Sequence, residues 1–146
     1  MPTIRPISID DIDDVLKIET ASFSAPFTKR MFEGIVANQP PFEGFVIEDG
    51  GKLAGYMIYS RVLDEMELLT IAVDEKFRKN GFARKLINLM FENAGRAGIC
   101  RIFLEVRPSN TAAQTLYKSV GFVACGLRKG YYADNKEDAI VMQKMF

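Results

Sequence analysis

Two side chains in this sequence are placed to move a proton, Glu105 and Tyr117, and four are placed to hold an anion, Arg78, Lys79, Arg84 and Lys85. The four cations crowd around Gly81 in the stretch DEKFRKNGFARK, residues 74–85, just as a helical pattern begins. Helix starts expose unpaired N–H groups and favour acids, so each cation there forgoes roughly 0.3–1 kcal/mol at low salt. A bound anion reverses that sign. Gly81 lets a backbone approach closely, the helix start presents free N–H groups and the flanking cations add charge, so a pyrophosphate fits. The competing reading is a plain turn at Gly81 whose cations are neutralised by Asp74 and Glu75.

The proton-transfer pair lies in FLEVRPSNTAAQTLYKSVGF. In a strand, Ile102, Leu104 and Val106 face one way and Phe103, Glu105 and Arg107 the other, which sets Glu105 among apolar neighbours. Partial burial beside a cleft suits such a carboxylate to general-base work; a solvated glutamate, or one paired with Arg107, is the plainer alternative. Tyr117 shares a helical stripe with Ala113, Leu116 and Val120, and reads as a core-edge tyrosine or as a weak acid. Acyl transfer from a thioester to an amine needs a base for the amine and a weak acid for the departing thiolate, beside an anionic cofactor site. Glutamate and tyrosine can do both. An α-amine with pKa about 8 costs only ~1.4 kcal/mol to deprotonate at pH 7, against ~4.6 for a lysine near 10.4, so a modest carboxylate base suits an N-terminal amine better.

The sequence contains no histidine. That removes the Ser-His-Asp triad, the Cys-His pair and the His-ligated metal, and no metal site is expected. The Walker pattern is absent and the dinucleotide fingerprint needs further glycines, so neither nucleotide hydrolysis nor hydride transfer is supported. Lys and Arg number 19 against 19 Asp and Glu, which argues against a nucleic-acid or membrane partner and confines any anion site to a local cluster. Cys100 and Cys125 lack C-x-x-C spacing and suit a reducing compartment, with a disulfide between them left open. With no signal-peptide core and no run near the ~18 apolar residues of a membrane span, a cytoplasmic protein is expected.

The elements that must position these residues follow from periodicity. Thr3 to Pro6 reads as a strand, and Ser8 with Asp11 offers an N-cap for a helix carrying Ile9, Ile12, Val15, Leu16 and Phe23. A second helix starts at Thr28 with Met31, Phe32, Ile35 and Val36 inward, and ends before NQPPFEG. Neither helix carries obvious chemistry. Two strand-like runs flank Gly50 and Gly51 as a hairpin, and a third, Glu65 to Val73, leads into the cationic loop. Ala83, Leu86, Ile87, Met90, Ala94 and Ala97 trace a long helix closed by Gly98. CRIFLEV is a strand, NTAAQTLYKSV a helix capped by Asn110 or Thr111, and FVACGLRK and DAIVMQKMF are strands. The expected fold is α+β in a single domain, residues 1–146, with one mixed, largely antiparallel sheet of about seven strands and about four helices. A right-handed crossover from Glu65 to Val106 would join parallel strands and put the RKNGFA loop at a strand's C-terminal end.

Three stretches in order, LLTIAVDEKFRKNGFARKLI, LEVRPSNTAAQTLYKSVGF and YYADNKEDAIVM, resemble the hallmarks of the GNAT superfamily of acetyl-CoA-dependent N-acetyltransferases, and within it the RimI type, the ribosomal-protein-alanine acetyltransferases. Arg78, Gly81 and Ala83 match the family's phosphate-loop pattern; Asn80 stands where a basic residue is common, and Phe27 where relatives often have Trp. The resemblance implies a sheet splayed between central strands to admit the pantetheine arm of acetyl-CoA as cosubstrate. It implies that the backbone of Ile71, Ala72 and Val73 binds that arm. Arg78, Lys79, Asn80, Gly81, Phe82, Ala83 and Arg84 would cradle the pyrophosphate, and Asn110 would contact the cofactor. Glu105 matches the family's proton acceptor and Tyr117 its proton donor, with Tyr131 and Tyr132 at the peptide entrance. The implied reaction is direct acetylation of the N-terminal alanine of a ribosomal protein. Other protein N-termini, lysines or small amines stand as alternative acceptors, and a non-catalytic acyl-CoA sensor or ribosome-binding module as an alternative of another class.

Overall fold

A computed structural model describes residues 1–146. Strand β1 (Thr3–Pro6) leads through a 3-10 turn (Ile9–Asp11) into helix α1 (Ile12–Ser22), followed by α2 (Lys29–Ala37). The Asp11 carboxylate accepts from the Ser8 N–H at 2.8 Å, so the expected box forms on the 3-10 turn, while Thr28 Oγ1 caps α2 by accepting from the Met31 N–H at 3.2 Å. Ile9, read as part of the helical repeat, and Met31, expected inward, are exposed. Ile9 lies in the 3-10 turn, outside the α-helical phase, and Met31 curls back to the cap, its Sδ 3.5 Å from the Thr28 nitrogen.

Strands β2 (Phe42–Asp49) and β3 (Lys52–Val62) meet at Gly50 and Gly51, whose φ values of 60° and 77° are those a tight hairpin demands. Next come β4 (Glu65–Val73), α3 (Phe82–Ala97), β5 (Arg101–Val106), α4 (Thr111–Ser119), β6 (Val123–Arg128) and β7 (Ala139–Met145). The sheet order is β1-β2-β3-β4-β5-β7-β6, with β4 and β5 parallel and the other neighbours antiparallel. On one face α1 and α2 bury Val15, Phe32, Val46 and Ile58; on the other α3 and α4 bury Leu86, Ile87, Met90 and Leu104. Each such side chain contributes about 1.5–3 kcal/mol. Along α3 the inward row runs Phe82, Leu86, Met90, Ala94, joined by Ile87, so Phe82 takes the place expected for Ala83 and Ala97 is exposed.

The feature that makes a site is a failure of pairing. Strands β4 and β5 pair only from Glu65–Glu67 to Arg101–Phe103 and then part. A bulge in β4 marks the parting: Tyr59 opposes Leu68 and Ile58 opposes Thr70, which leaves Leu69 without a partner. Beyond it β4 stays zipped to β3 as far as Val73 and β5 to β7 as far as Val106. Each strand therefore presents a free edge to the wedge between them. Cys100 and Cys125 are both free thiols.

Candidate active site

The wedge forms a cleft of about 160 Å³ walled by Leu68 to Ile71, Leu104 to Arg107 and, from α4 and its cap, Asn110, Ala113 and Tyr117. Strand alternation turns Glu105 toward it, with 11% of the side chain exposed. Its neighbours differ from those the alternation implies. Arg128 Nη1 donates to Glu105 Oε1 at 2.7 Å and its guanidinium lies 4.6 Å from the Tyr131 ring centre. Arg107 does not pair with Glu105. It donates to both Asp134 oxygens at 2.9 and 3.0 Å and to Glu137 at 3.3 Å, and lies 3.9 Å over the Tyr132 ring. Those contacts tie Tyr132 to the cleft wall, whereas Tyr131, 42% exposed, sits beside the Glu105–Arg128 pair.

Glu67, on β4, feels the Glu105 charge: burial first and then Glu105 push its carboxyl above the ordinary range, against a smaller pull from Arg128. An acid raised in the folded state costs stability above its folded pKa, and the cost disappears below its unfolded value, where both states are protonated. Glu67→Gln is therefore expected to raise Tm at pH 7, with the gain shrinking as pH falls toward 4, read by thermal unfolding at the two pH values. A Glu67→Gln protein that melts lower at pH 7 contradicts this account.

Tyr117 is 8% exposed, its ring edge-on to Phe122 at 5.9 Å. Burial, helped by Tyr132, pushes its hydroxyl up to about 12, so the proton stays on at neutral pH. Burial likewise pushes Tyr132 up to about 12, with Arg107 pulling the other way. Asn110 rather than Thr111 caps α4, its Oδ1 accepting from the Ala113 N–H at 3.1 Å.

The cationic loop lies where β4 ends. Lys79 and Gly81 both take positive φ, 67° and 74°, and a Cβ at Gly81 would meet nothing within 4 Å. Glycine is required there for its backbone angle, not by crowding. None of Arg78, Lys79, Arg84 and Lys85 has a carboxylate within 4.0 Å. Asp74 instead accepts from the Lys76 N–H at 3.0 Å, so no direct ion pair neutralises the loop. Arg78 Nε donates to the Val73 carbonyl at 3.1 Å and Arg84 Nη2 to Ser119 Oγ at 2.9 Å, which orients both side chains without cancelling charge. Val73, Arg78, Lys79, Gly81, Phe82, Ala83 and Arg84 line a second hollow of about 250 Å³. Asn80 is not in its lining: its amide donates to the Phe77 carbonyl at 2.9 Å and braces the turn. The Phe82 ring belongs to the core, and Ala72 packs on the α1–α2 side of the sheet, so for both only the backbone remains for a ligand.

The first helix, which showed no obvious chemistry in sequence, contributes a buried acid to the cleft. Glu19 of α1 lines the cleft with Phe23 and Phe27, and is 2% exposed. It accepts from the Tyr56 hydroxyl, from Thr70 Oγ1 at 2.7 Å and from the Phe27 N–H at 2.9 Å. The available signal was an acid four residues after Val15, on the buried stripe of the helix.

With this geometry in hand, the sequence pattern of the acetyltransferase (GNAT) family matches residues 12–122. The chain belongs to the GNAT family. The Escherichia coli (strain K12) ribosomal protein bS18-alanine N-acetyltransferase is 34% identical to this GNAT chain over 145 residues, 97% of this chain and 96% of its own length. A Bacillus subtilis relative with a provisional name for the same activity is 38% identical over 139 residues, 95% of this chain and 92% of its own. The crystal structure of the Escherichia coli ribosomal-protein-S18-alanine enzyme superposes with a TM-score of 0.90 at 33% identity, covering 99% of this chain and 94% of that one. Arabidopsis thaliana NAA60, solved with acetyl-CoA, shares the GNAT fold at a TM-score of 0.90 and 20% identity, over 100% of this chain and 99% of its own.

Proposed function

We propose that this chain, acting as one N-acetyltransferase domain over residues 1–146, transfers acetyl from acetyl-CoA directly to the N-terminal amine of an alanine on a ribosomal protein. The observation that carries the reading is the cationic loop without carboxylate partners, joined through β4 to a cleft that holds Glu105 and Tyr117. The loop has the charge and the free helix-start N–H groups for a pyrophosphate. The free edge of β4 around Ile71 to Val73 offers backbone donors and acceptors to an extended, amide-bearing arm in the manner of an added strand. When bound, acetyl-CoA supplies the thioester carbonyl. Glu105, held by Arg128, takes the proton from the attacking amine, and Tyr117 donates a hydrogen bond to the departing sulfur. Asn110 keeps its Nδ2 uncommitted to any other group of the chain.

Direct transfer is favoured because no thiol that could carry the acetyl group faces the cleft. Neither cysteine lines it, and Cys100 Sγ lies 3.2 Å from an Asp64 oxygen, which pushes the thiol up and away from the reactive thiolate. The ribosomal acceptor rests on the relatives' names, and a cytoplasmic location follows from that acceptor. Peptide comparison tests the reading: with acetyl-CoA, an Ala-starting peptide is expected to release thiol, and an N-terminally blocked twin containing lysine is not. The reverse pattern would assign a lysine acceptor, and acetyl-CoA that raises Tm without turnover on any amine would assign a sensor.

A further inference from the structure

Glu19 is a buried carboxylate that the proton transfers above leave unused. It joins four parts of the chain: its own helix α1, Tyr56 on β3, Thr70 on β4 immediately after the bulge, and the backbone of Phe27 in the segment between α1 and α2. A carboxylate is suited to this because it accepts at both oxygens and has no hydrogen to dispose of. The segment from Phe23 to Thr28 lacks helix or strand, yet it supplies Phe23, Ser24, Ala25 and Phe27 to the wall of the cleft. Its other polar tie to a distant part of the chain, Ser24 Oγ to Asp134 at 2.9 Å, is exposed. The part-buried bond to Glu19 is the less exposed of the two ties, and it sits beside the Phe27 ring, which stands 5.8 Å from Phe32. Thr70, on the same carboxylate, precedes Ile71 on the free edge of β4.

We propose that Glu19 is a positioning residue for the acceptor: it locks the 23–28 segment, and with it Phe27, at a fixed distance from the strand edge that receives the thioester. This rests on the acetyl-transfer reading, and predicts that Glu19 acts through reach rather than charge. Two substitutions that separate these properties test it. Glu19→Asp keeps the charge but withdraws the carboxylate by about one bond length, ~1.5 Å, too far to hold the Phe27 N–H. Glu19→Gln keeps the reach, because its carbonyl can take the Phe27 N–H while the Tyr56 and Thr70 hydroxyls turn to accept from its amide.

The expected result for Glu19→Asp is a rise of about tenfold in KM for an Ala-starting peptide, the loss of one charge-assisted hydrogen bond, with acetyl-CoA affinity unchanged. Glu19→Gln is expected to stay within about threefold of the wild type in peptide KM. Amide exchange at Phe27 should quicken in Glu19→Asp and hold in Glu19→Gln. Tyr56→Phe, which removes a donor but leaves the loop bond, is expected to lower Tm without moving peptide KM. Damage in Glu19→Gln with Glu19→Asp spared would overturn the proposal in favour of a charge effect, and equal damage in both would overturn the claim that reach is what matters. Loss of Phe27 protection with no change in KM for any amine would overturn it while leaving acetyl transfer standing. A wild-type protein that acetylates nothing overturns the transfer reading itself, and unchanged Phe27 exchange in Glu19→Asp overturns the anchor whatever the acceptor.

Discussion

Replacing Glu105 with glutamine is expected to lower kcat by about 10²–10⁴, the usual contribution of a positioned general base, with acetyl-CoA affinity unchanged. Glutamine keeps the shape and an oxygen for Arg128, whose Nη1 lies 2.7 Å from Glu105 Oε1, so the side chain stays placed and the loss reports the missing base. Tyr117→Phe is expected to cost less. Burial holds its hydroxyl up at about 12, well above an ordinary thiol, so complete transfer to a thiolate is uphill by roughly 5 kcal/mol. A hydrogen bond to the charged sulfur is worth about 1.5–3 kcal/mol, which translates to a loss of roughly 10–150-fold in Tyr117→Phe. The ring contact with Phe122 survives that substitution, so Tm should barely move. Thiol release with an Ala-starting peptide measures both. Unchanged rates in both variants would sink the catalytic assignment, and a Tyr117→Phe loss equal to that of Glu105→Gln would sink the division of labour.

Gly81→Glu is expected to weaken acetyl-CoA binding by about a hundredfold while leaving kcat at saturating acetyl-CoA within a few-fold. A Cβ at Gly81 meets nothing within 4 Å, so the side chain has room and the fold is kept. Two costs remain and they can be separated. The backbone stays at a φ of 74°, a strain of roughly 1–2 kcal/mol for any side chain, which Gly81→Ala shares. The new carboxylate alone repels phosphate: at about 6 Å and an effective dielectric near 20, one unit charge costs roughly 2.8 kcal/mol, or about a hundredfold. Titration calorimetry with acetyl-CoA on Gly81→Ala and Gly81→Glu reads the difference. Equal affinities in the two variants would mean that no phosphate lies against the loop. Glu105→Gln thus shows in turnover and Gly81→Glu in cosubstrate affinity.

Local pattern carried most of the scaffold. The periodicities of 3.6 and 2 located all four helices and seven strands, and the glycines at 50 and 51 turned the hairpin as read. The misplaced residues lie at element ends: Ile9 in a 3-10 turn, and Phe82 in place of Ala83 at the start of α3. There the repeat has too few turns to set its phase. Among site residues, Glu105, Asn110, Tyr117, Ile71 and Tyr132 do line one cleft, and the alternation of β5 accounts for the orientation of Glu105. Sequence alone could not separate a neutralised turn from an anion seat in residues 74–85, because Asp74 is near the cations along the chain. The fold turns its carboxylate to the Lys76 N–H instead.

From sequence by itself came the chemistry that is possible: no histidine, a glutamate and a tyrosine in one strand-helix passage, and cations around a glycine at a helix start. These are matters of residue type and short spacing, which covalent chain order settles. What only the tertiary structure decided is which distant groups meet. Arg128 rather than Arg107 holds Glu105, although Arg107 is two residues away along the chain and Arg128 is 23. Glu19 reaches Thr70 across 51 positions. The parting of β4 from β5 after three residue pairs is marked by a bulge at Leu69, an unpaired residue that no two-residue alternation announces. Chain order specifies which way a side chain faces within its own element; packing between elements specifies what it faces, and catalysis depends on the second.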